Sequence, residues 1–124
     1  MSLYAAIGGS DVVLGRWSIR ETSSGARHFL GFNLVDGDGR VSTPIQSFDP
    51  VTRTGVTTSG STYRLVGPAG QDKDAEYVWF YAAKAWKIEQ WTDITTALVP
   101  DCRRDLPLSE QHNIGSRDAG GDET

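Results

Sequence analysis

Cysteine is nearly absent from this chain. Cys102 is alone, so no intrachain disulfide can form, and with only His28 and His112 beside it no zinc-ligand spacing exists. A surplus of positive charge is also missing. Twelve Lys and Arg stand against sixteen Asp and Glu, a formal net charge of −4. Between Val12 and Val99 nine charges of each sign cancel, which leaves the deficit to Asp11 and the segment after Pro100. A neutral body with an acidic end argues against nucleic-acid binding driven by bulk charge. Long apolar runs are lacking too, and the start, MSLYAAIGGSD, has neither a basic leader nor a signal-length hydrophobic stretch. The expectation is therefore no membrane association and a cytoplasmic location.

Catalytic signatures are equally scarce. There is no Gly-x-Ser-x-Gly elbow and no His-Glu-x-x-His, and Gly67-Pro68-Ala69-Gly70 lacks the Lys-Ser/Thr that a phosphate loop needs. Asp36-Gly37-Asp38-Gly39 resembles the opening of a calcium loop, but the closing bidentate carboxylate is missing at Gln46 to Phe48. These absences point away from an enzyme and imply no metal and no cofactor. His28 is left as a base or ligand only if a small-molecule site or hydrolase centre forms between helix and sheet.

What is present reads as one α+β domain, residues 12–99, between a lead-in of residues 1–11 and a polar acidic tail of residues 100–124. Fourteen glycines mark many turns. Period-two alternation predicts about five short strands: Leu14 to Glu21, Arg27 to Val35, Arg40 to Phe48, Arg53 to Thr58 and Thr62 to Val66. Asp36-Gly37-Asp38-Gly39 is a strong hairpin signal, and Pro44 removes a ladder donor, which calls for an edge or a bulge there. The expected architecture is an antiparallel meander, as a twisted open sheet or a partly closed barrel, covered by one C-terminal helix. Trp91 to Thr95 adds a last short strand or a capped turn.

That helix runs from Asp72 to Lys87. Asp72 suits an N-cap, and Asp74 and Glu76 favour the positive end of the helix dipole. Ala75, Val78, Trp79, Ala82 and Trp86 fall on one face, the expected core side. The other side is greasy as well. Tyr77, Phe80 and Tyr81 with Lys84, and Trp91 shortly after, supply more aromatic surface than one small sheet uses, so they are the expected partner-binding residues. A second copy of the chain or another protein is the expected occupant. An alternative is base stacking on the sheet, helped by Arg16, Arg20, Arg27 and Arg64 as a ligand or nucleic-acid face.

The segments Trp17-Ser-Ile-Arg-Glu-Thr, Ser47-Phe-Asp-Pro-Val-Thr, Ser59-Gly-Ser-Thr-Tyr-Arg-Leu-Val-Gly-Pro and Glu76-Tyr-Val-Trp carry a resemblance. Over roughly Arg16 to Thr95 the chain resembles small accessory proteins of bacterial plasmids, integrative elements and integron gene cassettes. That resemblance implies an accessory protein of a bacterial mobile element with no established activity; joined to the aromatic helix face, the expectation is a non-enzymatic binding or adaptor protein of such an element. Its alternative is an inhibitor or modulator of a host nucleic-acid or defence complex, of anti-CRISPR or anti-restriction type. It transfers no functional residues.

Overall fold

The structure, a computed structural model, describes residues 10–104. The expected lead-in up to residue 9 and the expected tail beyond residue 104 lie outside the described residues. The chain forms β1 (Asp11–Thr22), β2 (Arg27–Asn33), β3 (Asp38–Val41), β4 (Ile45–Asp49), β5 (Thr54–Thr57), β6 (Thr62–Leu65), α1 (Lys73–Ala85), β7 (Trp91–Asp93) and α2 (Thr95–Leu98). The class is α+β. The five-strand antiparallel meander with a C-terminal helix is corrected to an open, mixed, seven-stranded sheet in the order β3-β2-β1-β6-β5-β4, with β7 also on β1.

Two physical causes account for the difference. β1 is twelve residues long, and its outer edge is shared by two partners: Asp11 to Leu14 pair in parallel with β6, and Arg20 to Thr22 pair antiparallel with β7. Both pairings are distant in sequence and leave no trace in local alternation. The single strand expected over Arg40 to Phe48 is instead broken at Ser42 to Pro44, where the missing amide of Pro44 favours a break. The chain leaves one edge of the sheet at β3 and starts the opposite edge at β4.

That break sets the curvature. Three linking residues between Val41 and Ile45 span at most roughly 14 Å, whereas five strand spacings in a flat sheet come to about 24 Å. The sheet must therefore curl until its edges face each other. Side chains bridge the curl: Phe29 of β2 meets Phe48 of β4 at 5.4 Å and Tyr63 of β6 at 5.3 Å, and Arg40 of β3 donates to the Tyr63 hydroxyl at 3.0 Å.

The concave face holds Val12, Leu14, Trp17, Ile19, Phe29, Tyr63 and Leu65, sealed by Val99 and Cys102. Leu14 and Trp17 are three apart and would face opposite sides of a regular strand. A bulge between Gly15 and Ser18, with Arg16 in the left-handed region at φ 44°, turns both inward to zero exposure. The convex face carries α1, whose Ala75, Trp79 and Ala83 pack on Leu30. This stripe is rotated from the expected one, since Val78 and Ala82 are half-buried and Trp86 is 44% exposed.

Both ends of α1 are fixed. Asp72 is the N-cap and accepts from the Ala75 amide at 2.9 Å. At the other end Lys87 adopts φ 58°, while Ile88 N donates to Ala83 O at 2.8 Å and Lys87 N to Lys84 O at 3.2 Å. These are the two bonds of a Schellman ending, with Lys in the usual glycine position, and Ile88 folds back on the same core as Ala83.

Candidate functional site

The outward face of α1 follows from this anchoring. With Ala75, Trp79 and Ala83 turned to the sheet, residues 77, 80, 81 and 84 point away from it. Tyr77 is 65%, Phe80 55% and Tyr81 53% exposed. The three rings are packed against one another: Tyr77 meets Tyr81 edge-on at 4.9 Å, Phe80 meets Tyr81 at 5.3 Å, and the Lys84 ammonium lies 5.0 Å from the centre of the Phe80 ring. A hydrogen bond with the Tyr81 side chain raises the pKa of the Tyr77 phenol. Four of the five expected partner-binding residues thus form one cluster. Trp91 makes its ring contact elsewhere, edge-on to the buried Trp79 at 5.3 Å, and is 43% exposed on β7.

The four arginines expected as a ligand face are placed differently. Arg16 donates to the N-cap carboxylate of Asp72 at 2.7 Å and lies over Phe32. Arg20 is buried, pairs with Glu76 at 2.6 Å and covers Trp79. Arg27 pairs with Glu21 at 2.9 Å, and Arg64 is exposed on β6. Two of these pairs tie β1 to the start of α1, so those guanidinium groups serve the fold and carry a carboxylate with them.

His28 is buried on β2 beneath α1. Its Nδ1 lies 2.8 Å from the carbonyl of Ser42, which can only accept, so Nδ1 carries the proton. The ring stacks on Trp86 at 5.0 Å and meets the edge of Trp79 at 5.6 Å. The space between helix and sheet is filled by Leu30, Ala75, Trp79 and Ala83, with Val41 and Ile88 beside them. His28 is a packing residue there. Burial lowers its pKa below the ordinary 6.5, against a smaller opposing effect of the Ser42 bond. The unfolded chain therefore binds more protons than the folded one as pH falls through that value, and stability present above pH about 6.5 is lost on acidification. Urea midpoints measured between pH 7.5 and 5 are expected to fall in the wild type, with a flatter slope in His28→Phe.

Among the described residues, no group of three or more His, Cys, Asp or Glu side chains is placed to hold a metal ion. Asp36 and Asp38 lie at the β2–β3 hairpin, where Asn33 Oδ1 accepts from the amides of Val35 and Asp36. No helix among the described residues is long and apolar enough to cross a membrane.

Two features escaped the sequence reading. Arg53, the last residue of the turn into β5, is 1% exposed, and no local pattern marks it. A cleft of about 520 Å³ also opens beside β1, between the strands that share its outer edge. It arises from non-local pairing, which alternation cannot report. Comparison with protein-family models, curated proteins and solved structures finds no match for this chain.

Proposed function

We propose that this chain is a non-enzymatic protein-binding module that pairs with a second copy of itself through the outer face of α1. One observation carries the reading: Tyr77, Phe80 and Tyr81 stand more than half exposed in a pre-packed cluster on a helix capped at both ends. Large rings held in place lose little freedom on docking, which is why Tyr and Trp dominate contact energies at interfaces.

Charge favours an antiparallel arrangement about a two-fold axis. The first turn of α1 is acidic through Asp74 and Glu76, and its last turn is basic through Lys84. Two helices crossing head to tail near residue 79 bring Tyr77 against the second copy's Tyr81, and Lys84 against its Asp74. The exposed parts of the three rings amount to roughly 350 Å². A stable pair buries about 800 Å² on each side. The flanking Lys73, Asp74, Lys84 and neighbouring loops must supply the rest, so the expected dimer dissociates on dilution. In the setting implied by the resemblance, an accessory protein of a mobile element, self-pairing of an adaptor doubles the number of target surfaces held by one particle.

Light scattering after size exclusion, run as a dilution series, tests this. A concentration-dependent dimer is expected. Tyr81→Ala should raise its dissociation constant at least about tenfold, Lys84→Asp should weaken it, and adding Asp74→Lys should restore it. A monomer at millimolar concentration, unaltered by Tyr81→Ala, sinks the reading.

A further inference from the structure

The cleft beside β1 has a definite origin. Strand β6 leaves the edge of β1 after Leu14, and β7 joins it only at Arg20. Between them the edge is met by loop residues and the start of α2: Gly70 N donates to Trp17 O at 3.0 Å, Ile94 N to Ile19 O at 2.9 Å, and the Thr95 hydroxyl accepts from Ile19 N at 2.9 Å. The result is a slot of about 520 Å³, within the range of roughly 300–1,000 Å³ usual for small-molecule sites.

Its lining narrows the ligand. Ser18 is 5% exposed and lines the slot, and its hydroxyl has no hydrogen-bond partner among the described residues, an arrangement that favours a polar ligand. Nearby, the Thr96 hydroxyl lies 3.8 Å from the Cys102 sulfur, and the half-buried Ala69 supplies an apolar wall. Two charged residues border the slot, Asp93 and Arg103. Asp93 uses Oδ1 to accept from Thr95 N at 2.9 Å, which leaves Oδ2 for a donor. Arg103 is exposed and has no ion pair among the described residues. A polyanion such as a nucleotide would meet the Asp93 carboxylate, and a purely apolar ligand would strand the Ser18 hydroxyl. One charge of each sign over a hydroxyl-bearing interior suits a small molecule that carries both.

We infer that this slot binds a small zwitterion of the free α-amino acid class, its ammonium on Asp93, its carboxylate on Arg103 and its side chain toward Ser18 and Thr96. The site is independent of the face of α1 proposed for self-pairing.

Amide chemical shifts of the full chain, followed by two-dimensional NMR, test it with each free L-α-amino acid as probe and with the N-acetylated and C-amidated forms as comparisons. Saturable shifts at Ser18, Gly70, Thr96 and Cys102 are expected for at least one free amino acid, and neither blocked form should reproduce them. Asp93→Asn, which keeps the cap on Thr95, and Arg103→Gln should each weaken binding at least about tenfold, while Tyr81→Ala leaves it unchanged. Absence of saturable shifts with every amino acid at millimolar concentration overturns the inference. Equal binding of the blocked forms, or no loss in the two variants, overturns it as well.

Discussion

Arg53→Ala is expected to destabilise the fold by about 3–5 kcal/mol, or to prevent folding at ordinary temperature. The guanidinium lies 1% exposed and 5.3 Å from the centre of the Trp17 ring. Nη1 donates to the carbonyls of Gly67 at 3.2 Å and Arg104 at 3.1 Å, and Nη2 to that of Asp101 at 3.0 Å. The Asp101 carboxylate is 3.7 Å away and half exposed, so the ion pair is the weaker part of the arrangement. Removing the side chain takes the donor from the Arg104 carbonyl, leaves Gly67 O to Trp17 Nε1 and Asp101 O to the Arg104 amide, and releases residues 101–104 from the core that Cys102 helps to seal. Lysine is a poor substitute, because one ammonium cannot reach carbonyls spread across a planar fork. Arg53 also sits at φ 56°. Arg53→Gly should therefore be milder than Arg53→Ala by up to about 1 kcal/mol, the backbone strain removed. Guanidinium midpoints for the three variants check the order, and near-wild-type stability of Arg53→Ala would refute it.

The second large effect is expected at Gly39 of β3, where the first turn of α1 lies directly on the strand. A Cβ there would sit 2.3 Å from the carbonyl carbon of Asp74 and 2.4 Å from the amide of Ala75. Both are backbone atoms and cannot rotate away. Gly39→Ala must lift the helix start, at a cost of about 3 kcal/mol, the upper part of the range for overpacking. It also tilts the platform that aims Tyr77 and Tyr81. Gly37 is the internal comparison. Its φ is 77° with open space around its Cβ position, so Gly37→Ala should cost only about 1 kcal/mol, from the backbone alone. Equal midpoints for the two alanine variants would show that the close approach carries no weight.

Much of the helix was legible beforehand, because its determinants are local. Asp72 as cap, the acidic first turn and the exposed Tyr77, Phe80 and Tyr81 all follow from spacing within one segment. The hairpin at Asp36 to Gly39 was local as well, and β2 and β3 do pair across it. What could not be read depended on partners far along the chain. Trp91 looked like part of the aromatic face until β7 paired with β1 and set it against Trp79. Arg16 and Arg20 looked free until the sheet carried them to Asp72 and Glu76, more than fifty residues away. The strand expected over Arg40 to Phe48 failed for a different reason. Local pattern offers only Pro44, which has no amide to donate, as a sign of the break, and nothing in it reports that the residues on either side belong to opposite edges.

The shared edge of β1 bears on how the protein is made. As the chain leaves the ribosome, β1 and β2 can pair at once, yet the other side of β1 waits for residues 62–65 and then for residues 91–93. During that interval a long strand presents unsatisfied amides and carbonyls, the condition under which nascent chains stick to one another. Late closure by distant segments also raises the contact order and slows folding. The half-built protein, more than the finished one, is the species a cell has to protect.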